Sequence, residues 1–60
     1  MTELFTQLRA RATESLSSLA EARRAGDDYS VRLAEADLEN IARLANEHGL
    51  VVPELASRTA

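Results

Sequence analysis

Several features that stabilise or anchor small proteins are missing from this chain of 60 residues. It has no cysteine, which excludes disulfides and thiolate metal sites as sources of stability. Its aromatic residues are Phe5 and Tyr29, too few to fill a multilayer core. It has neither an apolar run of membrane-spanning length nor a basic-then-apolar leader. We therefore expect a cytoplasmic protein that makes no membrane contact.

Positive charge is also scarce, and all of it comes from arginine. Seven arginines stand against ten acidic residues, which gives a net charge of −3. Proteins that bind nucleic acids or anionic membranes generally need a positive surface, so nucleic acid is not an expected partner. A chain of about 60 residues is also marginal for folding on its own, because it buries too small a fraction of its surface.

Helix-breaking residues are few, and their positions divide the chain. Gly26, Gly49 and Pro53 leave two long segments rich in alanine, leucine, glutamate and arginine. The pattern predicts an all-α fold in which residues 1–50 form an antiparallel two-helix hairpin. Helix 1 covers about 2–25, the turn 26–28, and helix 2 about 28–48. The tail, 51–60, is predicted to contain a short helical turn and either to fold over the open end of the hairpin or to fray.

Apolar residues recur at spacings of three and four in both helices, as on core-facing helices. The stripe on helix 2 is wider than one partner helix can cover, which favours dimerisation of the hairpin into a four-helix bundle. A different protein that supplies the missing helices is the alternative partner. The charges, net +1 over 3–25 and net −4 over 27–47, favour packing of helix 1 against helix 2. The predicted interface residues are Phe5, Leu8, Ala12, Leu16, Leu19, Val31, Leu38, Ile41, Leu44 and Ala45.

The helix ends carry capping chemistry. Asp27 and Asp28 open helix 2, where a side-chain oxygen can accept from free amides, and Gly49 is placed to end it in a left-handed conformation. Glu39 and Arg43 have the i, i+4 spacing of a solvated ion pair.

The residues that could act in catalysis or bind a metal are better explained by roles in helix capping and ion pairing. His48 lies at a helix end, about 16 Å along the axis from Asp37, so it lacks a carboxylate partner for general base catalysis. Asp37 lies at the edge of the apolar stripe and is expected to pair with Arg9, Arg11 or Arg23, or to set register at an interface. Acids two positions apart at 35, 37 and 39 point to different sides. We therefore predict no enzymatic activity, no cofactor, and no catalytic or metal-binding residue.

Two stretches carry a resemblance. Residues 25–33, Ala-Gly-Asp-Asp-Tyr-Ser-Val-Arg-Leu, and residues 38–50, Leu-Glu-Asn-Ile-Ala-Arg-Leu-Ala-Asn-Glu-His-Gly-Leu, are similar to short uncharacterised proteins of actinobacteria. The resemblance covers roughly half of the chain and implies a cytoplasmic helical hairpin, with no catalytic motif.

A second interpretation concerns residues 29–33, where apolar and polar residues alternate. Tyr-Ser-Val-Arg-Leu resembles the single strand of ribbon-helix-helix DNA-binding proteins. That resemblance implies a strand at 29–33 whose Ser30 and Arg32 read the major groove. The three-four spacing that runs from Val31 into Leu38 instead predicts helix.

Three functions remain open from the sequence. The leading hypothesis is a non-enzymatic protein–protein interaction module, an adaptor, regulator or inhibitor, with an acidic outer face at Glu35, Glu39, Asn46 and Glu47 that suits a basic partner. The alternatives are the DNA-binding regulator and a purely structural assembly subunit.

Overall fold

The computed structural model describes residues 2–55 and contains two long antiparallel helices. Helix α1 runs over Thr2–Ala25 and helix α2 over Asp28–Glu47. The helices pack against each other along their lengths, and the described part of the chain contains no strand. The all-helical class expected from the sequence is confirmed, and α2 ends one residue before its predicted end.

Both helices end in the same hydrogen-bonded motif, which depends on a glycine. Gly26 and Gly49 have positive φ angles, 69° and 66°. After α1, the N–H of Gly26 donates to Arg23 and the N–H of Asp27 to Ala22. After α2, the N–H of Gly49 donates to Asn46 and that of Leu50 to Ala45, at 3.2 and 2.8 Å. These paired bonds satisfy the last carbonyls of each helix, and they require the left-handed conformation that glycine adopts at little cost.

Asp27 makes the turn between the helices short because it serves both of them. Its N–H closes α1, while its side chain accepts from the N–H and the hydroxyl of Ser30 at 3.1 and 2.7 Å. These two hydrogen bonds, the hydroxyl first, lower the pKa of Asp27 below its ordinary value, although its partial desolvation acts in the opposite direction. The expected cap of helix 2 is therefore confirmed, and it is Asp27 rather than Asp28 that provides it.

The core between the helices is built largely from small residues. Ala12, Ala22, Ala34 and Ala45 are buried, as is Ser15. Small side chains allow the helix backbones to approach closely, and the larger Leu8, Leu19, Leu38 and Ile41 fill the space around them. The core is consequently narrow, and much of the surface of each helix remains outside it.

Residues 51–55 of the tail fold back onto the hairpin, which is one of the two outcomes expected for it. Val52 is buried with Leu8, Ala12, Ile41 and Ala45, and Leu55 packs against core residues nearer the turn. Residues 53–55 are helical, with the N–H of Leu55 bonded to the carbonyl of Val52 at 3.0 Å. The rest of the predicted tail, 56–60, lies outside the described residues.

The helix expected at 29–33 is confirmed, whereas two other interpretations of the sequence are wrong. Residues 29–33 belong to the first turns of α2, so the strand required by the ribbon-helix-helix resemblance is not formed. The Asp27 cap lies directly before these residues and supports helix from the start. Arg43 donates to Asn40 on its own helix, and the ion pairs within 3–55 do not include Glu39 with Arg43.

Candidate interaction site

The ten residues predicted to form an interface are mainly used inside the hairpin. The buried ones are Leu8, Ala12, Leu19, Leu38, Ile41 and Ala45. The others are partly exposed at the margins of the core: Phe5, Leu16, Val31 and Leu44. A side chain that is already buried between α1 and α2 has no free surface for another molecule, so a contact with a second chain requires other residues as well.

A polar cluster joins α1 to α2 halfway along the hairpin. Arg11 donates to Asp37 Oδ1 at 2.9 Å, and the hydroxyl of Ser15 donates to Asp37 Oδ2. Ser15 is only 8% exposed, so its hydroxyl needs a partner inside the protein. The expected pairing of Asp37 is confirmed, with Arg11 as the arginine. The cluster fixes the relative position of the two helices, because each of its members bonds across them.

Further ion pairs join the arginines of α1 to acidic residues of α2 and of the tail. Arg23 of α1 lies 3.5 Å from Glu35 of α2, and Arg9 lies 3.1 Å from Glu54 of the tail. The hydrogen bond from Arg9 is the main cause that lowers the pKa of Glu54. The Arg9 guanidinium also lies over the Phe5 ring, 5.7 Å from its centroid. Glu35, expected on the acidic outer face, is thus engaged within the chain.

His48, Ser15 and Ser30 form hydrogen bonds that cap or join the helices. His48 caps the end of α2, where its N–H donates to the carbonyls of Leu44 and Ala45 at 3.2 Å. Ser15 donates to Asp37 and Ser30 to Asp27. Residues 15, 18, 30, 33 and 34 line a shallow open groove between the helices. No cluster of three or more potential metal ligands is found within the described residues.

Two large apolar side chains of α2, those of Tyr29 and Leu33, are exposed close to the hairpin turn. Tyr29 is 70% exposed and Leu33 53% exposed, one turn apart on the helix. Neither is among the ten interface residues predicted from the sequence. Their spacing of four within the predicted helix 2 was the available signal, but the interface was assigned to the neighbouring stripe that runs from Val31 to Ala45. A third exposed apolar residue, Val51, lies at the start of the tail beside a shallow groove that includes Ala42, Leu50 and Leu55.

No protein-family model, curated protein or solved structure matches this chain. The resemblance to short actinobacterial proteins therefore stays a prediction. Neither helix in the described range has the length and apolar character needed to cross a membrane. Within the described residues, the exposed side of α2 that carries Tyr29 and Leu33 is the leading candidate surface for contact with another molecule.

Proposed function

We propose that this chain is a small, non-enzymatic protein–protein interaction module that acts in the cytoplasm as a homodimer of helical hairpins. The observation that carries the proposal is the exposure of Tyr29 and Leu33 on α2, outside the face formed by Ala34, Leu38, Ile41 and Ala45 that packs on α1. Large apolar side chains grouped on one helix face of a small protein are typical of surfaces that become covered by another protein.

The narrow core supports the same conclusion. Four of the buried apolar residues are alanines, which remove little surface from water when the chain folds. Below about 70–80 residues a single core rarely supplies more than about 3–5 kcal/mol, and association is a common way of adding to it. Two hairpins related by a two-fold axis would combine four helices.

The polar side chains support a structural rather than a catalytic role. Asp37 is held by Arg11 and Ser15, and Asp27 is held by Ser30. General base catalysis requires a group within hydrogen-bond reach of the proton that it removes, and these carboxylates are engaged in joining or capping helices. We therefore propose no reaction, cofactor or metal for this chain.

Binding to DNA is the less supported alternative. In the ribbon-helix-helix family a strand presents its polar residues to the groove, whereas Ser30 here caps a helix together with Asp27. The net charge of −3 also opposes approach to a polyanion.

Co-expression of a tagged and an untagged copy tests the proposal. We expect the tagged copy to retain the untagged one through washing at moderate ionic strength. If the tagged copy retains neither the untagged copy nor any other protein in stoichiometric amount, the interaction module is refuted. Self-capture together with a further protein in stoichiometric amount supports the interaction module. Self-capture with no further partner would instead identify a structural assembly subunit, in which the oligomer is itself the product.

A further inference from the structure

Helix α2 carries a second stripe on the side away from α1. Tyr29, Leu33, Ala36 and Asn40 recur at spacings of four, three and four, and we call this set the α2 outer stripe. At 100° per residue these positions fall on one side of the helix, well apart from Ala34, Leu38, Ile41 and Ala45, which face α1. Tyr29 and Leu33 remain 70% and 53% exposed within the hairpin. The stripe is long enough, nearly three turns, to accept another helix.

Charged residues border one side of this stripe and lack ion-pair partners in the hairpin. Asp28, Arg32, Glu39 and Arg43 are exposed, and none forms an ion pair with another residue in the range 3–55. The arginines of α1, in contrast, are each paired with an acid: Arg9, Arg11, Arg23 and Arg24. Within the described residues Arg32 forms no ion pair, and Arg43 bonds only to the neutral amide of Asn40, so the charges of both α2 arginines can pair with another molecule.

The order of these charges along α2 indicates which molecule fits. Asp28 and Arg43 lie equally far from a point between residues 35 and 36, and so do Arg32 and Glu39. A second copy of α2, placed antiparallel about a two-fold axis at that point, brings each arginine next to an acid of the partner. The pairs lie about 5 and 11 Å from the axis along the helix, and each occurs twice. A parallel arrangement about a two-fold axis would instead put the charged borders of the two copies on opposite sides of the interface, where they cannot pair with each other.

We propose that the α2 outer stripe is covered by the same stripe of a second copy, in this antiparallel register. The inference rests on the homodimer proposed above and specifies its interface. Ala36 lies next to the axis, where its small side chain permits close approach. Tyr29 of one copy extends toward Arg43 of the other, and Leu33 lies over the segment between Ala36 and Asn40. The two α2 helices form the centre of the assembly and the two α1 helices lie outside.

Charge reversal tests the register, because both members of the Arg32–Glu39 pair are on the same chain. Arg32→Glu and Glu39→Arg each place like charges together twice, and we expect the dimer dissociation constant to rise about tenfold in each. The double variant restores opposite charges and is expected to return to within about threefold of the original value. Glu14→Arg, at an exposed site on α1, changes the net charge as Glu39→Arg does and is expected to leave the constant unchanged.

Cross-linking gives an independent measurement, because the chain has no cysteine. In the proposed register Ala36→Cys places two thiols close to the axis, and we expect mild oxidation to link the copies through a disulfide. Ala10→Cys, exposed on the outside of α1, is the matched control and is expected to stay largely unlinked.

The outcomes separate this inference from the function on which it rests. A wild-type dimer whose dissociation constant is the same in the single and double variants, with no preferential linkage at position 36, overturns the register and leaves the homodimer. A wild type that stays monomeric, or that forms a stoichiometric complex only with another protein, overturns both the register and the homodimer. Weakening in the singles, recovery in the double and linkage at position 36 support the antiparallel register.

Discussion

The core residue Ile41 offers a sharp test of how the hairpin and tail pack. Its side chain is 0% exposed and lies among Leu8, Ala12, Ala45 and Val52, which belong to both helices and the tail. Ile41→Val removes one methylene from this cluster and leaves the helix intact. We expect the free energy of unfolding to fall by about 0.5–1.5 kcal/mol, the usual cost of this change in a close-packed core.

The matched control is Val51→Ala, which removes two carbons from a side chain that is 73% exposed. Its expected effect is within about 0.5 kcal/mol of zero, because the removed atoms are already in water. Position 51 is next to the buried Val52 in the sequence. A difference between the two variants therefore reflects burial of the side chain and not the segment of the chain in which it lies.

Urea titration followed by far-UV circular dichroism measures both changes. All variants should be compared at one protein concentration, because the stability of an associating chain depends on concentration. The midpoint should move to lower urea for Ile41→Val while the slope stays constant. In thermal melts the midpoint should fall by roughly 4–8 °C per kcal/mol. An unchanged midpoint for Ile41→Val, or an equal loss for both variants, would refute the packing described here.

Three further outcomes are expected. The pKa of Glu54 is lowered chiefly by the hydrogen bond from Arg9, so its contribution to stability is present above the ordinary pKa of 4.5 and disappears as the pH falls through the lowered value. Thermal melts of Glu54→Gln should show a smaller loss of stability on acidification, and an identical profile would contradict the contact. At Gly26, where φ is 69° and a Cβ would meet no atom within 4 Å, L-alanine should destabilise by about 1–2 kcal/mol. D-alanine, introduced by chemical synthesis, should be neutral or stabilising, and equal effects of the two would contradict the left-handed turn. A double-mutant cycle on Ser15 and Asp37 should give a coupling of about 1 kcal/mol or more, since the hydroxyl is buried and its acceptor is charged. The more exposed pair of Asp37 with Arg11 should give about 0–1 kcal/mol, and the reverse order would contradict the cluster.

The helices and their ends could be predicted from the sequence because local signals determine them. Gly26 and Gly49 adopt the only positive φ angles within the described residues, and Asp27 caps α2 where its position suggested. Glycine freedom and side-chain capping act over a few residues, so they can be inferred from residue order alone.

The arrangement of the tail and the exposed stripe could be predicted only in part. Apolar spacing identifies which residues become buried, but it does not say whether the same chain or a second one covers them. Most of the ten expected interface residues are buried within one hairpin, and Val52 from the tail joins them. At 29–33 the spacing fits both a strand and a helix, and the cap at Asp27 together with the packing of α2 on α1 determines the helix. The ten expected interface residues do not include Tyr29 and Leu33, because the prediction followed the three-four stripe that faces α1 and these two residues lie beside it.

Sedimentation equilibrium on the full chain tests the central claim, self-association of the hairpin, most directly. The chain weighs 6.6 kDa. We expect a mass of twice that value at concentrations of about 100 µM, and a fall toward the single-chain mass, with loss of helicity, on dilution. A helical chain that keeps the single-chain mass throughout this range would contradict the account, because the exposed side of α2 would then have no second copy to cover it.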